Sequence, residues 1–225
     1  MYAGATAGAT ALLLSGCDDD DDPKIDTNGT VDVGTGDAGV LNYAYALEQL
    51  EAAFYAEVLK GTYFTNLAPL SAERQILADI ALHEKIHADF FKTALAGNAI
   101  KDLAPNFSTI DFAVRRGTTG GKLGVLDAAK AFEDLGVAAY NGAGRFITDP
   151  RNLALAGKIV SVEARHAALI RDLLDPNTFV GNDVVDFSTT SATARQERSK
   201  SPTEVLVTAN TFLAEGSKVS ARSLV

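Results

Sequence analysis

The chain of 225 residues has few of the residues on which several classes of protein depend: one Cys, no Trp, one Met and three His. A single cysteine excludes an intrachain disulfide and any iron or zinc centre built from four cysteines. Basic blocks are also missing. Residues 1–40 hold eight Asp and one Lys, so −7 of the net charge of −9 lies there and residues 41–225 are nearly neutral. We therefore expect no nucleic-acid partner, and the 47% hydrophobic content favours one main domain.

The single cysteine, Cys17, follows a short apolar run in the sequence ALLLSGC. Leu14-Ser15-Gly16-Cys17 resembles the lipobox of bacterial lipoproteins, in which the peptide is cut before the cysteine and the thiol is lipidated. The apolar run is too short to span a bilayer as a helix. The sequence departs from the signal-peptide pattern in one respect: a signal peptide begins with basic residues, and no basic residue precedes Lys24. We expect residues 1–17 to be the remnant of a signal peptide. A lipid on Cys17 would then hold an exported protein at the membrane of the bacterial cell envelope, periplasmic or on the outer surface. A tail with a chance cysteine is the alternative.

Three regions of different pattern follow the cysteine. Residues 18–37 are rich in Asp, Gly and Thr and have the composition of a disordered linker. Residues 38–176 show helical periodicity, and residues 177–225 form a polar extension with one capped helix. Start and stop signals predict helices over residues 38–60, 71–96, 124–147 and 150–175, and over 201–215 in the extension. The predicted fold is all-α, a four-helix bundle with a long crossover, residues 97–123, between the second and third helices.

The two halves of the bundle repeat one pattern. ALEQLEAAFY at 46–55 aligns with AFEDLGVAAY at 131–140, and LHEKIHA at 82–88 aligns with SVEARHA at 161–167. Each half is therefore a helix with one Glu, followed by a helix with Glu-x-x-His. The matched pairs that carry polar groups are Glu48/Glu133, Tyr55/Tyr140, Glu84/Glu163 and His87/His166.

These acidic and imidazole side chains interrupt helix faces that are otherwise apolar, so the pattern aims them at the core. A buried unpaired carboxylate costs several kcal/mol or takes up a proton. Four carboxylates and two neutral imidazoles are balanced in charge by two divalent metal ions. Carboxylate oxygens with imidazole nitrogens suit iron or manganese, while zinc also binds such groups. The alternative is that some of the glutamates are protonated core residues or exposed ion-pair partners. The candidate ligands are Glu48, Glu84, His87, Glu133, Glu163 and His166.

A second interpretation concerns His83-Glu84-Lys85-Ile86-His87, which fits the H-E-x-x-H pattern of zinc proteases. There both histidines bind zinc and the Glu acts as a base. The repeat argues against it, because Val162 stands where the second half would need a counterpart of His83. His83 also lies about 100° around the helix from Glu84. We interpret His83 as incidental to metal binding, either a surface residue or one that touches a ligand.

Glu51, one turn from Glu48, is either a spare carboxylate where metal enters or a partly exposed helix charge.

The set of a Glu from each of two helices and Glu-x-x-His from each of the other two resembles the ferritin-like di-iron carboxylate proteins, over about residues 38–176. The resemblance implies two metal ions, iron first and manganese second, that meet O2 or peroxide between the helices. It implies Glu84 and Glu163 as bridging ligands, Glu48 and Glu133 as terminal ones, and one His per metal. A tyrosine seven residues after the first Glu recurs in the family. Tyr55 fits it, so Tyr55 and Tyr140 are candidate catalytic residues that hydrogen-bond a ligand or supply an electron; packing is their alternative role.

Three functions stay open. The first is oxidation of Fe(II) or consumption of peroxide. The second is a metal-binding or stress-protective envelope protein without turnover, because SPTEVLVTANTFL resembles the tail of a branch that includes exported bacterial and plant desiccation-related proteins. The third is the zinc protease. No rubredoxin-type cysteine centre is encoded, so electrons would come from a partner or from the metal substrate. The tether and the extension make a storage cage doubtful, and a homo-oligomer stays open.

Overall fold

Four long amphipathic helices dominate the computed structural model, which describes residues 29–224. α1 packs along α3 and α4 packs along α5, and the two pairs meet mainly through α1 and α4. Neighbouring helices joined by short connections run antiparallel, so each half of the repeat is one helical hairpin. The helices of the described residues are α1 (Gly36–Lys60), α2 (Thr62–Thr65), α3 (Ala72–Leu95), α4 (Val125–Ala143), α5 (Pro150–Leu174) and α6 (Pro202–Ala209).

The helix starts follow the capping signals in the sequence. The Ser71 hydroxyl accepts a hydrogen bond from the Arg74 amide at the start of α3. The Asp149 carboxylate accepts one from the Arg151 amide at the start of α5, where Pro150 occupies the first helical position. Ser201 and Glu204 form the expected capping box of α6. The prediction of an all-α bundle is confirmed, and the long helices begin and end within two residues of it except at the end of α4.

Two predicted helices end earlier than expected. α4 stops at Ala143 and continues as a single 3₁₀ turn, Gly144–Phe146. α6 stops at Ala209 and is followed by the 3₁₀ turn Asn210–Phe212. Both ends tighten because the last carbonyl groups of a helix lack intrahelical partners and a 3₁₀ turn satisfies some of them.

The end of the predicted linker is ordered, which corrects the boundary at residue 37. Val31–Asp32 forms strand β1, and the side chains of Val31 and Val33 are both buried. β1 pairs in parallel with strand β5, Val219–Ser220, near the other end of the chain. Composition cannot reveal this, because the partner of the strand lies far along the sequence. Residues 18–28 of the linker, and residues 1–17 with Cys17, lie outside the described residues.

The crossover contains a small sheet that the sequence did not predict. Its three strands are β2 (Ile110–Asp111), β3 (Thr118–Thr119) and β4 (Lys122–Gly124), in the order β2-β4-β3. β4 pairs in parallel with β2 and antiparallel with β3. These strands are too short to give a periodic signal. The sheet ends directly where α4 begins and so fixes the entry of the chain into the second hairpin.

The extension packs against the bundle. The Lys200 amide donates to the Ala138 carbonyl of α4 at 3.0 Å, and Phe212 packs on Phe132 with ring centroids 4.7 Å apart. Gly142 lies under this crossing, because a Cβ atom there would overlap the carbonyl oxygen of Lys200. The extension therefore packs along α4, and a larger residue at position 142 would prevent its close crossing at Lys200.

Within residues 29–224, no helix combines the length and the apolar character that crossing a bilayer requires.

Candidate metal centre

The four long helices each bring one glutamate to the middle of the bundle. Glu48 of α1, Glu84 of α3, Glu133 of α4 and Glu163 of α5 are all 0% exposed. His166 of α5 is 3% exposed, and His87 of α3 is partly buried beside them. The structure thus brings together all six candidate ligands that the sequence pattern selects. The cause is the helical period, which puts each of these side chains on the stripe that faces the opposite hairpin.

The six side chains form two overlapping groups, each compact enough to hold one metal ion. In the first, ligand atoms of Glu48, Glu84, His87 and Glu163 lie within 4.8 Å of one another. In the second, ligand atoms of Glu84, Glu133, Glu163 and His166 do the same. Glu84 and Glu163 belong to both groups, while Glu48 and Glu133 belong to one each. This sharing is the one expected if Glu84 and Glu163 are the bridging pair and Glu48 and Glu133 the terminal pair that the resemblance implies.

The imidazoles reach across between the hairpins. Nδ1 of His87 lies 2.9 Å from Glu163 Oε1, and Nδ1 of His166 lies 2.7 Å from Glu84 Oε1. Each imidazole of one hairpin therefore meets the bridging carboxylate of the other. The ring planes of His87 and His166 are inclined by 30° to one another, with centroids 6.4 Å apart. Both present the same nitrogen, Nδ1, to the centre.

The ligand atoms fit a metal pair because they have no other partner. Eight buried atoms converge without a well-formed hydrogen bond to any residue in 29–224, and the short imidazole–carboxylate approaches lack hydrogen-bond geometry. Leaving one buried polar atom unpaired costs about 1–3 kcal/mol, so eight in one place are a large destabilising sum unless cations fill the site. The atoms are Glu48 Oε2, both Oε of Glu84, His87 Nδ1, Glu133 Oε2, both Oε of Glu163 and His166 Nδ1.

Without metal, protons take the place of the cations. Burial raises the pKa of Glu133 to about 8 and holds that of Glu48 well above its usual range. Burial lowers the pKa of His87, but the surrounding carboxylates, Glu163 first, outweigh it and raise the value to about 12. For His166 burial is outweighed in the same way, by Glu133 first, and the pKa is also about 12. The metal-free site therefore holds protons that metal ions must displace.

The two tyrosines hold the terminal carboxylates, each from the other hairpin. The Tyr55 hydroxyl donates to Glu133 Oε1, and the Tyr140 hydroxyl donates to Glu48 Oε1. Burial raises the pKa of both phenols well above the ordinary value, so both remain protonated donors. Each hydrogen bond occupies the outer oxygen of its carboxylate and leaves Oε2 facing inward. The structure thus places both hydroxyls in hydrogen bonds with candidate metal ligands, while the supply of an electron by Tyr55 or Tyr140 stays a prediction.

Glu51 is a fifth buried carboxylate next to the site, only 4% exposed. Burial, with the charges of Glu84 and Glu163, raises its pKa well above the usual range. Its Oε1 lies 3.1 Å from the place where a Cβ on Gly136 would be, and Gly136 is the residue that the repeat aligns with Glu51. A glutamate in one half therefore fills space that a glycine leaves in the other. The alternative of a partly exposed helix charge is wrong for Glu51.

His83 contacts the site from outside. It belongs to neither ligand group, but its Nδ1 lies 2.9 Å from His166 Nε2 and the two rings stack with centroids 5.1 Å apart. The side chain is otherwise exposed. Of the two alternatives for His83, the structure favours the residue that touches a candidate ligand, and the partner is His166. Sequence reasoning missed this partner because the contact joins α3 to α5, whose relative placement depends on the whole bundle.

A bundle of two helical hairpins around a core of carboxylates and imidazoles defines the class of helical metal-carboxylate proteins. Comparison of the sequence with protein families supports the same class: the model of the ferritin-like domain matches residues 36–176. The chain therefore belongs to the ferritin-like domain family, and the matched range agrees with the predicted bundle of 38–176. A search of curated proteins found no match.

Proposed function

We propose that the protein binds two metal ions, iron first and manganese second, and uses them to oxidise Fe(II) or to consume peroxide. The observation that carries the proposal is the pair of ligand groups that share Glu84 and Glu163 and leave eight inward atoms without other partners. Oxygen and imidazole donors suit both metals. When bound, the metal pair supplies redox equivalents and Lewis acidity for reaction with O2 or peroxide.

The residues of the site orient the carboxylates and keep bulk water away from them. Glu84 and Glu163 lie at the centre with both oxygens of each free to bind. Tyr55 and Tyr140 orient the terminal carboxylates through their outer oxygens. Full burial of the carboxylates excludes bulk water, which strengthens the attraction between these oxygens and a cation. The carboxylate oxygens are therefore preorganised to bind cations.

A cavity beside the site fits a small oxidant. It lies between α1, α3, α4 and α5, has a volume of about 20 Å³, and is lined by apolar and aromatic side chains. Leu47, Phe91 and Tyr140 are among the residues that line it, and Tyr140 holds Glu48. A space of this size accommodates one molecule of about the size of water. The contact of Tyr140 with both the cavity and Glu48 supports access of O2 or peroxide from that side.

The first experiment counts metal ions. Metal-free protein is reloaded with Fe(II) or Mn(II), desalted and subjected to elemental analysis. We expect about two ions per chain, and near-complete loss of both in Glu84→Ala, because Glu84 belongs to both ligand groups. Glu57→Ala, which removes an exposed carboxylate of α1, is the matched control and should bind two ions. A parallel sample is reloaded with Zn(II), and one zinc ion per chain there, with no two-ion binding of Fe(II) or Mn(II) and no effect of Glu163→Ala, would contradict the two-metal site and favour the H-E-x-x-H interpretation.

The second experiment tests turnover. Fe(II)-loaded protein is mixed with peroxide, and peroxide loss is followed against Glu84→Ala and against free Fe(II). Faster consumption by the loaded wild type supports the oxidoreductase. A protein that binds two ions and remains inert would overturn the catalytic part of the proposal and favour a metal-binding or stress-protective role. Electrons would come from Fe(II) itself or from a partner, because the chain offers only one cysteine.

We further propose that the protein is exported and held at the envelope membrane by a lipid on Cys17. The support is the sequence Leu14-Ser15-Gly16-Cys17 alone, followed by five aspartates as a solvated tether. In a bacterial host that processes lipoproteins, the wild type should partition with membranes and Cys17→Ala should not. Equal partitioning of the two would contradict the anchor.

A further inference from the structure

The two imidazoles of the site differ in what lies behind them. Behind His166, Nε2 meets Nδ1 of His83 at 2.9 Å. Behind His87, Nε2 has no hydrogen bond to any residue of the described range 29–224. The repeat explains the difference, because Val162 occupies the position in the second half that His83 occupies in the first. Valine cannot hydrogen-bond through its side chain.

The contact to His83 fixes the form of His166 that binds a metal. A neutral imidazole carries its proton on one nitrogen and accepts or ligates with the other. Since Nδ1 of His166 faces the carboxylates and the centre, its proton must lie on Nε2, where His83 Nδ1 accepts it. The proton of His83 then lies on its own Nε2. The stacked rings add a second restraint on the orientation of His166.

We propose that His83 is a positioning residue that makes the two metal positions unequal, so that the ion at Glu84, Glu133, Glu163 and His166 binds more tightly than the ion at Glu48, Glu84, Glu163 and His87. Partners behind a ligating histidine fix its tautomer and ring orientation, and removing them weakens metal binding about 10–100-fold. Here only one of two otherwise matched imidazoles has such a partner. The proposal depends on the two-metal site proposed above.

The test measures binding of Mn(II) alone to metal-free full-length protein by calorimetric titration. The wild type should bind two ions in two resolved steps. His83→Ala should weaken the tighter step about 10–100-fold and leave the weaker step unchanged. His83→Asn should restore much of the loss, because the Asn carbonyl oxygen lies at the position of Nδ1 and accepts the same hydrogen bond. Val162→Ala, the same truncation at the position related by the repeat, is the matched control and should change neither step.

Two further variants assign the steps. Glu133 belongs only to the group of His166, and Glu48 only to the group of His87. Glu133→Gln should therefore weaken the same step as His83→Ala, and Glu48→Gln the other one. Circular dichroism of each metal-free variant checks that the helices persist.

The outcomes separate the inference from the function. Two equal steps in the wild type, or no effect of His83→Ala, or equal weakening of both steps, would overturn the unequal positions while leaving the two-metal site intact. Weakening of the step assigned by Glu48→Gln would also overturn it. Fewer than two Mn(II) ions in the wild type would overturn the two-metal site itself, and the inference with it.

Discussion

At the scale of residues, the centre is held by hydrogen bonds that cross between the hairpins. The outer oxygen of each terminal carboxylate accepts from a tyrosine of the opposite half. Both carboxylates are 0% exposed, so bulk water does not reach them to replace a missing hydroxyl. Removing one hydroxyl therefore strands a carboxylate oxygen where water is scarce.

Tyr55→Phe should lower the free energy of unfolding of the metal-free protein by about 1–3 kcal/mol, the cost of leaving one buried polar atom unpaired. Tyr140→Phe should do the same at Glu48. Urea unfolding followed by circular dichroism measures both.

Tyr43 provides the matched control, because its buried hydroxyl has no hydrogen-bond partner among residues 29–224. Tyr43→Phe removes an atom that already lacks a partner and should leave stability unchanged or slightly higher. Equal losses in Tyr55→Phe and Tyr43→Phe would show that the crossing hydrogen bonds contribute nothing specific.

At the scale of elements, the close crossing of the extension over α4 depends on a glycine. Gly142→Ala should destabilise the protein by about 1–3 kcal/mol or more, the cost of overpacking a tight contact. The reason is that the alanine Cβ would overlap the carbonyl oxygen of Lys200. The strain should fall on the extension, so limited proteolysis should cut within residues 177–200 sooner than in the wild type.

Gly157→Ala tests the same substitution without the crossing. Gly157 is exposed on α5, and apart from its chain neighbours and the adjoining backbone of the helix, no atom lies within 4 Å of the position that an alanine methyl group would take there. Alanine in a helix is about 0.5–1 kcal/mol more favourable than glycine, so this variant should be more stable than the wild type. Similar losses in both variants would contradict the role of the crossing.

The first turn of α1 is tied to the start of α5 by one carboxylate. Asp37 accepts hydrogen bonds from the backbone of Thr148 and Asp149, from the Thr148 hydroxyl and from the Asn152 amide. Burial raises its pKa, but these donors outweigh burial and lower the value to about 2. A carboxyl with a lowered pKa in the folded state stabilises the protein above its unfolded pKa of about 3.9 and loses that effect as pH falls through about 2.

Asp37→Asn should therefore destabilise the protein at pH 7 by about 1 kcal/mol, a value reduced for solvent screening, and the difference should shrink between about pH 4 and pH 2. Thermal unfolding across this range measures it. Asp79→Asn is the control, since Asp79 is exposed on α3 and makes no side-chain hydrogen bond within the described range. A gap between Asp37→Asn and wild type that is constant with pH would contradict the ionised role of Asp37.

At the scale of the whole molecule, we expect metal binding and folding to be coupled, because all four long helices supply candidate ligands. Metal at 100 times its dissociation constant stabilises the folded state by about 2.7 kcal/mol per site. For a chain of this size that is a rise in Tm of roughly 5–10 °C per site. Adding Mn(II) to metal-free protein should produce this rise, and a chelator should reverse it. Glu84→Ala should show no rise, and an unchanged Tm in the wild type would contradict the coupling.

The sequence predicts most of the bundle because helices carry local signals. Ser71, Asp149-Pro150 and Ser201-Pro202-Thr203-Glu204 mark helix starts that the structure has at the same places. The strands escape prediction for the opposite reason. β1 is two residues long, and its partner β5 lies far along the chain. No local sequence pattern therefore predicts that the two strands pair.

The sequence by itself determined which six side chains face the core, because the helical period and the repeat act on every turn without reference to the rest of the fold. Only the tertiary structure decided what surrounds them. Tyr55 meets Glu133, Glu51 fills the space at Gly136, and His83 reaches His166. Each of these contacts joins residues of different helices, whose distance depends on how the two hairpins pack and is not encoded in the spacing along either one.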